Sequence, residues 1–375
     1  MATHHTTLLY LGFNLVNGIG PQRLERLIAV CGSLEAAWHA SVREMAAAGL
    51  DAKTSQAFQH ARRHLELERE FERVARAGIS IVTREDASYP ALLGHIPGAP
   101  ALLYVRGALA AADALAIAVV GTRSPTSYGR EMTQRIAAEL VTAGSTIVSG
   151  LAIGIDYVAH TAALEAGGRT IAVLACGADL VYPERHARLA QRICEQGAII
   201  SEFPIGTRPI PQLFPVRNRL ISGLARGVLV TEARPGSGAL ITVDFALEQG
   251  RDVFAVPGPA YSQASEGPHR LIQQGAALTL SAADILEALS VPVLAPAVLA
   301  ELPDDPGERR ILELISSEPA HIDALARTSG IPIAQLAATL AILELKGFVR
   351  QGAVMEYMRI RERPARMWKQ RIPMP

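Results

Sequence analysis

Between residues 79 and 289 the chain alternates short apolar runs with longer stretches in which apolar residues recur every three or four positions. The runs 116–120, 146–149, 170–174, 198–201, 228–231 and 252–256 are strand candidates. The stretches between them are helical; in the first, Met132, Ile136 and Leu140 stand four apart. Strands that are apolar on both faces and separated by helices specify a parallel sheet covered on both sides. Right-handed crossovers then carry every strand-to-helix loop to one edge of that sheet.

The flanks have a different texture. Residues 6–76 carry helical periodicity and few β-branched runs; Leu24, Leu27, Ile28 and Cys31 follow the turn Asn17-Gly18-Ile19-Gly20-Pro21. A Gly-x-Gly turn entering such a helix resembles a SAM-like or helix-hairpin-helix unit, whose turn can meet a phosphate. Only Arg23 and Arg26 flank it, so a structural bundle turn is the first reading. After a Pro-rich passage come helical runs at 309–316, 322–328 and 333–345 and an alternating hairpin candidate at 348–358, the order of a winged helix. The expected organisation is a helical domain 1–76, an α/β, extended Rossmann-like parallel-sheet core 77–290, a linker 291–305, a winged-helix-like domain 306–358 and a basic tail 359–375.

Composition narrows the class. At 49% apolar and 19% charged residues, the chain supplies a large core. Cys31, Cys176 and Cys194 form no CxxC pair, which excludes a zinc ribbon and fits a reducing compartment. There is neither a signal-peptide pattern at the N-terminus nor an uninterrupted apolar stretch of spanning length, so a soluble, cytoplasmic protein is expected. Formal net charge is zero. Polyanion binding, which draws on Lys and Arg displacing counterions, therefore needs a local patch.

The expected loop edge carries that patch. The first loop, Gly121-Thr122-Arg123-Ser124-Pro125-Thr126-Ser127-Tyr128-Gly129, combines glycines, hydroxyls and a guanidinium before a helix, a setting suited to phosphate. It is neither a Walker loop nor a GxGxxG fingerprint, so neither ATP nor NAD is expected as a cofactor. The second loop, Ser149-Gly150-Leu151-Ala152-Ile153-Gly154-Ile155-Asp156, repeats the device. Asp156 and His160 at i, i+4 lack a third metal ligand and read as a cap and a packed histidine; no metal site is expected. Next, Phe214-Pro215-Val216-Arg217-Asn218-Arg219 sets cations beside an aromatic ring, the pairing that single strands need. Residues 208–234 hold five arginines against one glutamate. Pairing of these arginines with Glu202 and Glu232 is the structural alternative, ranked second. Ser237-Gly238 opens a further helix after Glu232-Ala233-Arg234-Pro235-Gly236, and Val256-Pro257-Gly258-Pro259 ends the last strand.

In order along the chain, these motifs closely resemble the DNA-processing protein A family (DprA, also called Smf): G-T-R-x-x-T-x-Y-G, S-G-L-A-x-G-I-D, F-P-x-R-N-R, S-G-A-L-I-T and F-A-V-P-G. The resemblance implies a non-enzymatic protein that binds single-stranded DNA in natural transformation, shields it and helps load the RecA recombinase. It implies DNA contacts at Arg123, Phe214, Arg217, Asn218 and Arg219, and the loop reading adds Gly121, Thr122, Thr126, Tyr128, Gly129, Ser149, Gly150, Gly154, Ser237 and Gly238 as binding candidates. It also implies a homodimer through the end of the core, with Leu271, Ile272, Leu278 and Leu280 as interface candidates. This chain has His186 and His269 where the family commonly has Asn, which adds titratable groups. The third helix of the winged-helix candidate lacks basic residues apart from Lys346 beyond it and offers only Gln335 to a base edge, so a partner module is expected there rather than a duplex reader. Two alternatives stand beside this reading. One is a phosphoribohydrolase-like enzyme using Pro235-Gly236-Ser237-Gly238 with Glu232 or Glu248; the other is a duplex-binding regulator.

Overall fold

The computed structural model describes residues 3–291, 305–316, 320–345, 348–351 and 355–359; most of the Pro-rich passage, Lys346 and the basic tail beyond Arg359 lie outside them. The chain divides into two compact units, residues 1–296 and 297–375.

In the first unit a nine-stranded sheet runs in the order β1-β2-β6-β5-β4-β3-β7-β8-β9. Its strands are β1 (Ser80–Thr83), β2 (Leu102–Gly107), β3 (Ala116–Val120), β4 (Thr146–Ser149), β5 (Thr170–Val173), β6 (Ala198–Ser201), β7 (Gly227–Val230), β8 (Asp252–Ala255) and β9 (Ala277–Leu278). The six strands read from apolar runs are all present, within one residue at each end. The sheet is mixed rather than purely parallel: β2 pairs antiparallel with β6, and β1 antiparallel with β2. Those two strands stand outside the strand–helix alternation that flags a parallel sheet, so the pattern missed them.

Strand β3 lies at the centre of the seven mutually parallel strands, with Ile117 opposite Ile147 of β4 and Val120 opposite Val230 of β7. Alternation within β3 divides the core. Ala116, Ala118 and Val120 face one cluster with Leu220, Leu224 and Val243 from helices Leu213–Leu224 and Gly238–Glu248. Ile117 and Val119 face the other, with Ile136, Leu140 and Ala159 from helices Ser127–Thr142 and Ile155–Glu165. Burying a side chain such as Ile136 fully contributes about 1.5–3 kcal/mol, so each layer is held by several such residues.

The N-terminal helices pack Phe13, Trp38, Met45 and Phe58 together and join Leu102 and Tyr104 of β2 in one cluster. The Gly18–Gly20 turn is tied internally: Arg23 donates to the Gly18 carbonyl at 2.9 Å and pairs with Asp51 at 3.2 Å. The turn therefore takes the structural reading.

The second unit has helices Pro306–Leu314, Ile322–Ser329 and Ile333–Leu345 and a three-stranded sheet in the order β10-β12-β11, formed by β10 (Ala320–His321), β11 (Val349–Gln351) and β12 (Glu356–Arg359). Ile311, Leu325, Leu336, Leu340 and Leu343 fill its core. Helix Ile333–Leu345 exposes Ile333, Gln335 and Ile342. Among the described residues no single helix is long and apolar enough to cross a membrane.

Candidate nucleic-acid interface

From β3 the chain moves through β4 and β5 to β6 on one side, then returns to add β7, β8 and β9 on the other. The loops after β3 and β7 therefore part at a topological switch point, where parallel sheets open a crevice at the carboxyl ends of their strands. A cleft of about 460 Å³ lies there, lined by Gly121, Thr122 and Arg123, by Phe214, Pro215, Arg217 and Asn218, and by residues 234–239.

The first loop does not offer its helix N-terminus to an outside anion. The buried Glu232 carboxylate, at the end of β7, accepts from the Thr126 backbone N–H at 2.9 Å and its hydroxyl at 2.6 Å. Gly129 donates to the Thr126 hydroxyl oxygen at 3.1 Å, and a Cβ on Gly129 would stand 2.2 Å from the Glu232 carboxylate. An internal carboxylate thus takes the place that the sequence suggests for phosphate, and the helix-dipole attraction is spent on it. The same engagement removes Glu232 from the enzymatic alternative. Thr122 is held through its backbone, donating to the Glu232 carbonyl at 2.7 Å and accepting from Ile155 at 3.1 Å. Gly154 (φ 90°) passes so close that a Cβ would meet the Thr122 carbonyl at 2.3 Å.

The Arg-Asn-Arg run needs correction. Arg217 is 4% exposed, and its guanidinium donates to the carbonyls of Gly150, at 2.8 Å, and Val173. Asp156, also buried, accepts from the N–H groups of Gly150 and Ala152 at 3.1 and 3.2 Å. Arg217 and Asp156 therefore hold opposite polar faces of the second loop. Burial lowers the Arg217 pKa to about 10, with Asp156 pulling it back up; burial likewise raises the Asp156 carboxyl, against the pull of Arg217 and the two N–H groups. Arg219 is ion-paired with Glu202, the two side chains being 14% and 9% exposed, and donates to the Gly98 carbonyl at 2.8 Å. Sequence reasoning placed DNA contact ahead of internal pairing for these arginines; the geometry reverses that order, because both guanidiniums are already satisfied inside the fold. Ser149 is likewise turned inward, donating to the Val119 carbonyl at 2.6 Å. Gly150 gives Arg217 room: a Cβ there would meet the guanidinium at 2.6 Å.

What remains open to the cleft is a smaller set. Arg123 is exposed, forms no ion pair with a described residue, and lies 5.9 Å from the centroid of the half-buried Phe214 ring. Arg234, which the sequence reading did not single out, is exposed on the opposite wall and also lacks an ion pair among the described residues. Its signal was present, in the excess of arginine over 208–234. Asn218 donates to the Gly238 carbonyl at 3.2 Å, and Ser237 caps the helix that begins at Gly238. Two exposed guanidiniums, a ring and a helix start fit a phosphate-and-base polymer better than an apolar ligand.

The remaining candidates lie around this cleft. Tyr128 donates to the Pro257 carbonyl at 2.5 Å, tying the first loop to the loop after β8. His186 is buried, with Nδ1 3.0 Å from the Leu151 carbonyl, and burial lowers its pKa. His269 Nε2 lies 3.0 Å from the Gly258 carbonyl oxygen and 3.3 Å from the Gly258 nitrogen. His160 places Nδ1 2.6 Å from the Thr170 hydroxyl, while Nε2 is buried without a hydrogen bond. Leu271 packs partly on the core, whereas Leu278 and Leu280 at the β9 edge are 50% and 52% exposed.

Residues 80–290 match the family model for DNA recombination-mediator protein A, and residues 295–353 match that for the DprA winged helix domain. Protein Smf of Synechocystis is 36% identical over 93% of this chain and 98% of its own length. Protein Smf of Escherichia coli is 42% identical over 72% of this chain and 74% of its own. Among solved structures, DNA processing protein A from Streptococcus pneumoniae superposes with a TM-score of 0.67 at 35% identity, covering 74% of this chain and 97% of that one. The Helicobacter pylori protein, solved for its single-stranded DNA binding mode, gives a TM-score of 0.51 at 29% identity over 57% of this chain and 97% of its own.

Proposed function

The chain belongs to the DNA recombination-mediator protein A family, and from that premise we propose that its cleft holds single-stranded DNA without cutting or copying it. The observation that carries this reading is that Arg123 and Arg234, neither ion-paired with a described residue, line one cleft beside Phe214 in a chain of zero net charge. The cations follow the backbone while exposed rings take bases, a sequence-tolerant mode that duplex DNA, with its bases stacked, does not satisfy. The Helicobacter pylori protein, solved for its single-stranded DNA binding mode, supports the assignment of ligand class.

Within a cell the role we propose is to shield incoming single strands in the cytoplasm and deliver them to the RecA recombinase during transformation. A homodimer is part of this reading, formed through the β9 edge with Leu271, Ile272, Leu278 and Leu280; the exposure of Leu278 and Leu280 supports it. Phosphate contacts are proposed at Arg123, Arg234, Ser237 and Gly238. Arg217 and Arg219 act by positioning the walls.

The test is competition between a single strand and a duplex of the same sequence over a salt titration, followed by RecA filament assembly on the bound strand. Preference for the single strand, steep weakening with salt and faster filament assembly are expected. Equal affinity for both DNA forms, or binding indifferent to salt, overturns the reading.

A further inference from the structure

Phe214 is poorly placed to serve as the main stacking surface. Guanidinium carbons of Arg123 and Arg217 already stand 5.9 and 6.0 Å from its ring centroid. The edge-on ring of Tyr182 lies against it as well, at 5.8 Å and an interplanar angle of 63°. Tyr182 is the open ring of this group, 49% exposed on the loop that follows β5. The same loop carries Arg185, which is exposed and forms no ion pair with a described residue. Beyond it, Tyr157 is 42% exposed, with its ring centroid 4.8 Å from that of His186. Rings and a cation thus continue from the cleft toward the β5 side of the sheet edge.

We propose that the bound single strand leaves the cleft across the loop after β5, where Tyr182 stacks a base and Arg185 meets the neighbouring phosphate. This rests on the single-strand reading above and assigns it a direction. A base has a π-face whatever its sequence, so the added contact strengthens binding without adding specificity. Because Tyr182 is uncharged, its contribution leaves the salt dependence unchanged, whereas an arginine contact alters it.

The experiment is fluorescence anisotropy of the full-length protein with a labelled oligothymidylate of about 15 nucleotides, a length sufficient for one extended site. Tyr182→Ala and Tyr182→Leu are each expected to weaken binding about tenfold, the lower range for one base stack, with the salt slope of the parent. Tyr182→Phe, which keeps the ring, is expected to bind within about twofold of the parent. Tyr182→Leu retains apolar bulk beside Phe214 and so guards against a packing defect. Parent-like affinity in Tyr182→Leu, with Arg123→Ala impaired, overturns this inference and leaves the single-strand reading intact. Parent-like affinity in Tyr182→Leu, Arg123→Ala and Arg234→Ala alike overturns both.

Discussion

Arg219→Ala separates internal pairing from DNA contact. In the parent, Arg219 and Glu202 form an ion pair whose side chains are 14% and 9% exposed, and the second Glu202 carboxylate oxygen is buried without a hydrogen bond. Burial already raises the Glu202 pKa, with Arg219 the opposing pull. Removing the guanidinium strands the carboxylate, a change that costs about 3–5 kcal/mol when one partner of a buried pair is deleted. For a unit of this size that corresponds to a fall in Tm of roughly 5–8 °C. Adding Glu202→Gln in the same chain removes the stranded charge and is expected to recover more than half of the loss. The sign of the pH dependence follows. With Arg219 gone the folded state holds the Glu202 proton more tightly than the unfolded chain, so the deficit is largest well above the ordinary carboxylate range. It shrinks as pH falls toward that range. The assay is chemical denaturation of parent, single and double variants at neutral and mildly acidic pH, with single-strand affinity measured on each folded protein. A variant as stable as its parent but at least about tenfold weaker in DNA binding refutes the reasoning, because the guanidinium would then face the ligand.

Three further outcomes follow from the same geometry. Gly154→Ala is expected to destabilise far more than Gly236→Ala: both glycines have positive φ, but only at Gly154 does a Cβ run into backbone, the Thr122 carbonyl at 2.3 Å. Thermal melts that rank the two equally contradict this. Burial lowers the His160 pKa to about 3, so below the ordinary histidine range the unfolded chain takes up a proton that the folded chain refuses, and stability falls with acidification. That loss is about 2 kcal/mol by pH 5 and is expected to flatten in His160→Gln, as read by denaturation across pH. Gln335→Ala in the second unit is expected to leave duplex affinity unchanged, since helix Ile333–Leu345 carries no lysine or arginine; a marked loss in a gel shift revives a duplex-reading role.

The core was legible because its strands are buried on both faces and therefore written as apolar runs: 116–120 and 146–149 need no partner information to be read. Strands β1 and β2 were not, since β2 pairs antiparallel with both its neighbours and neither strand belongs to a parallel strand–helix–strand unit. The loop edge was legible for the same reason as the strands, and with it the neighbourhood of Gly121–Arg123, Phe214 and Ser237–Gly238. What sequence does not display is who neutralises whom. Arg217 and Arg219 read as a basic patch because Asp156 and Glu202, their counter-charges, lie on other loops. Thr126 and Gly129 read as a phosphate cradle because Glu232 reaches them only after β7 is laid beside β3. Arg234 was overlooked because the arginine excess over 208–234 does not say which of the five lines the cleft without an internal partner.

The central claim, that free cations at the switch-point cleft hold a single-stranded backbone, is tested most directly by the salt dependence of binding in the Arg123→Ala/Arg234→Ala protein. Each lost phosphate contact lowers the magnitude of the log–log salt slope for a single strand by about 0.7, so a reduction of about 1.4 is predicted, with weaker binding at low salt and an unchanged Tm. A double variant that keeps both the parent's affinity and the parent's slope contradicts the account.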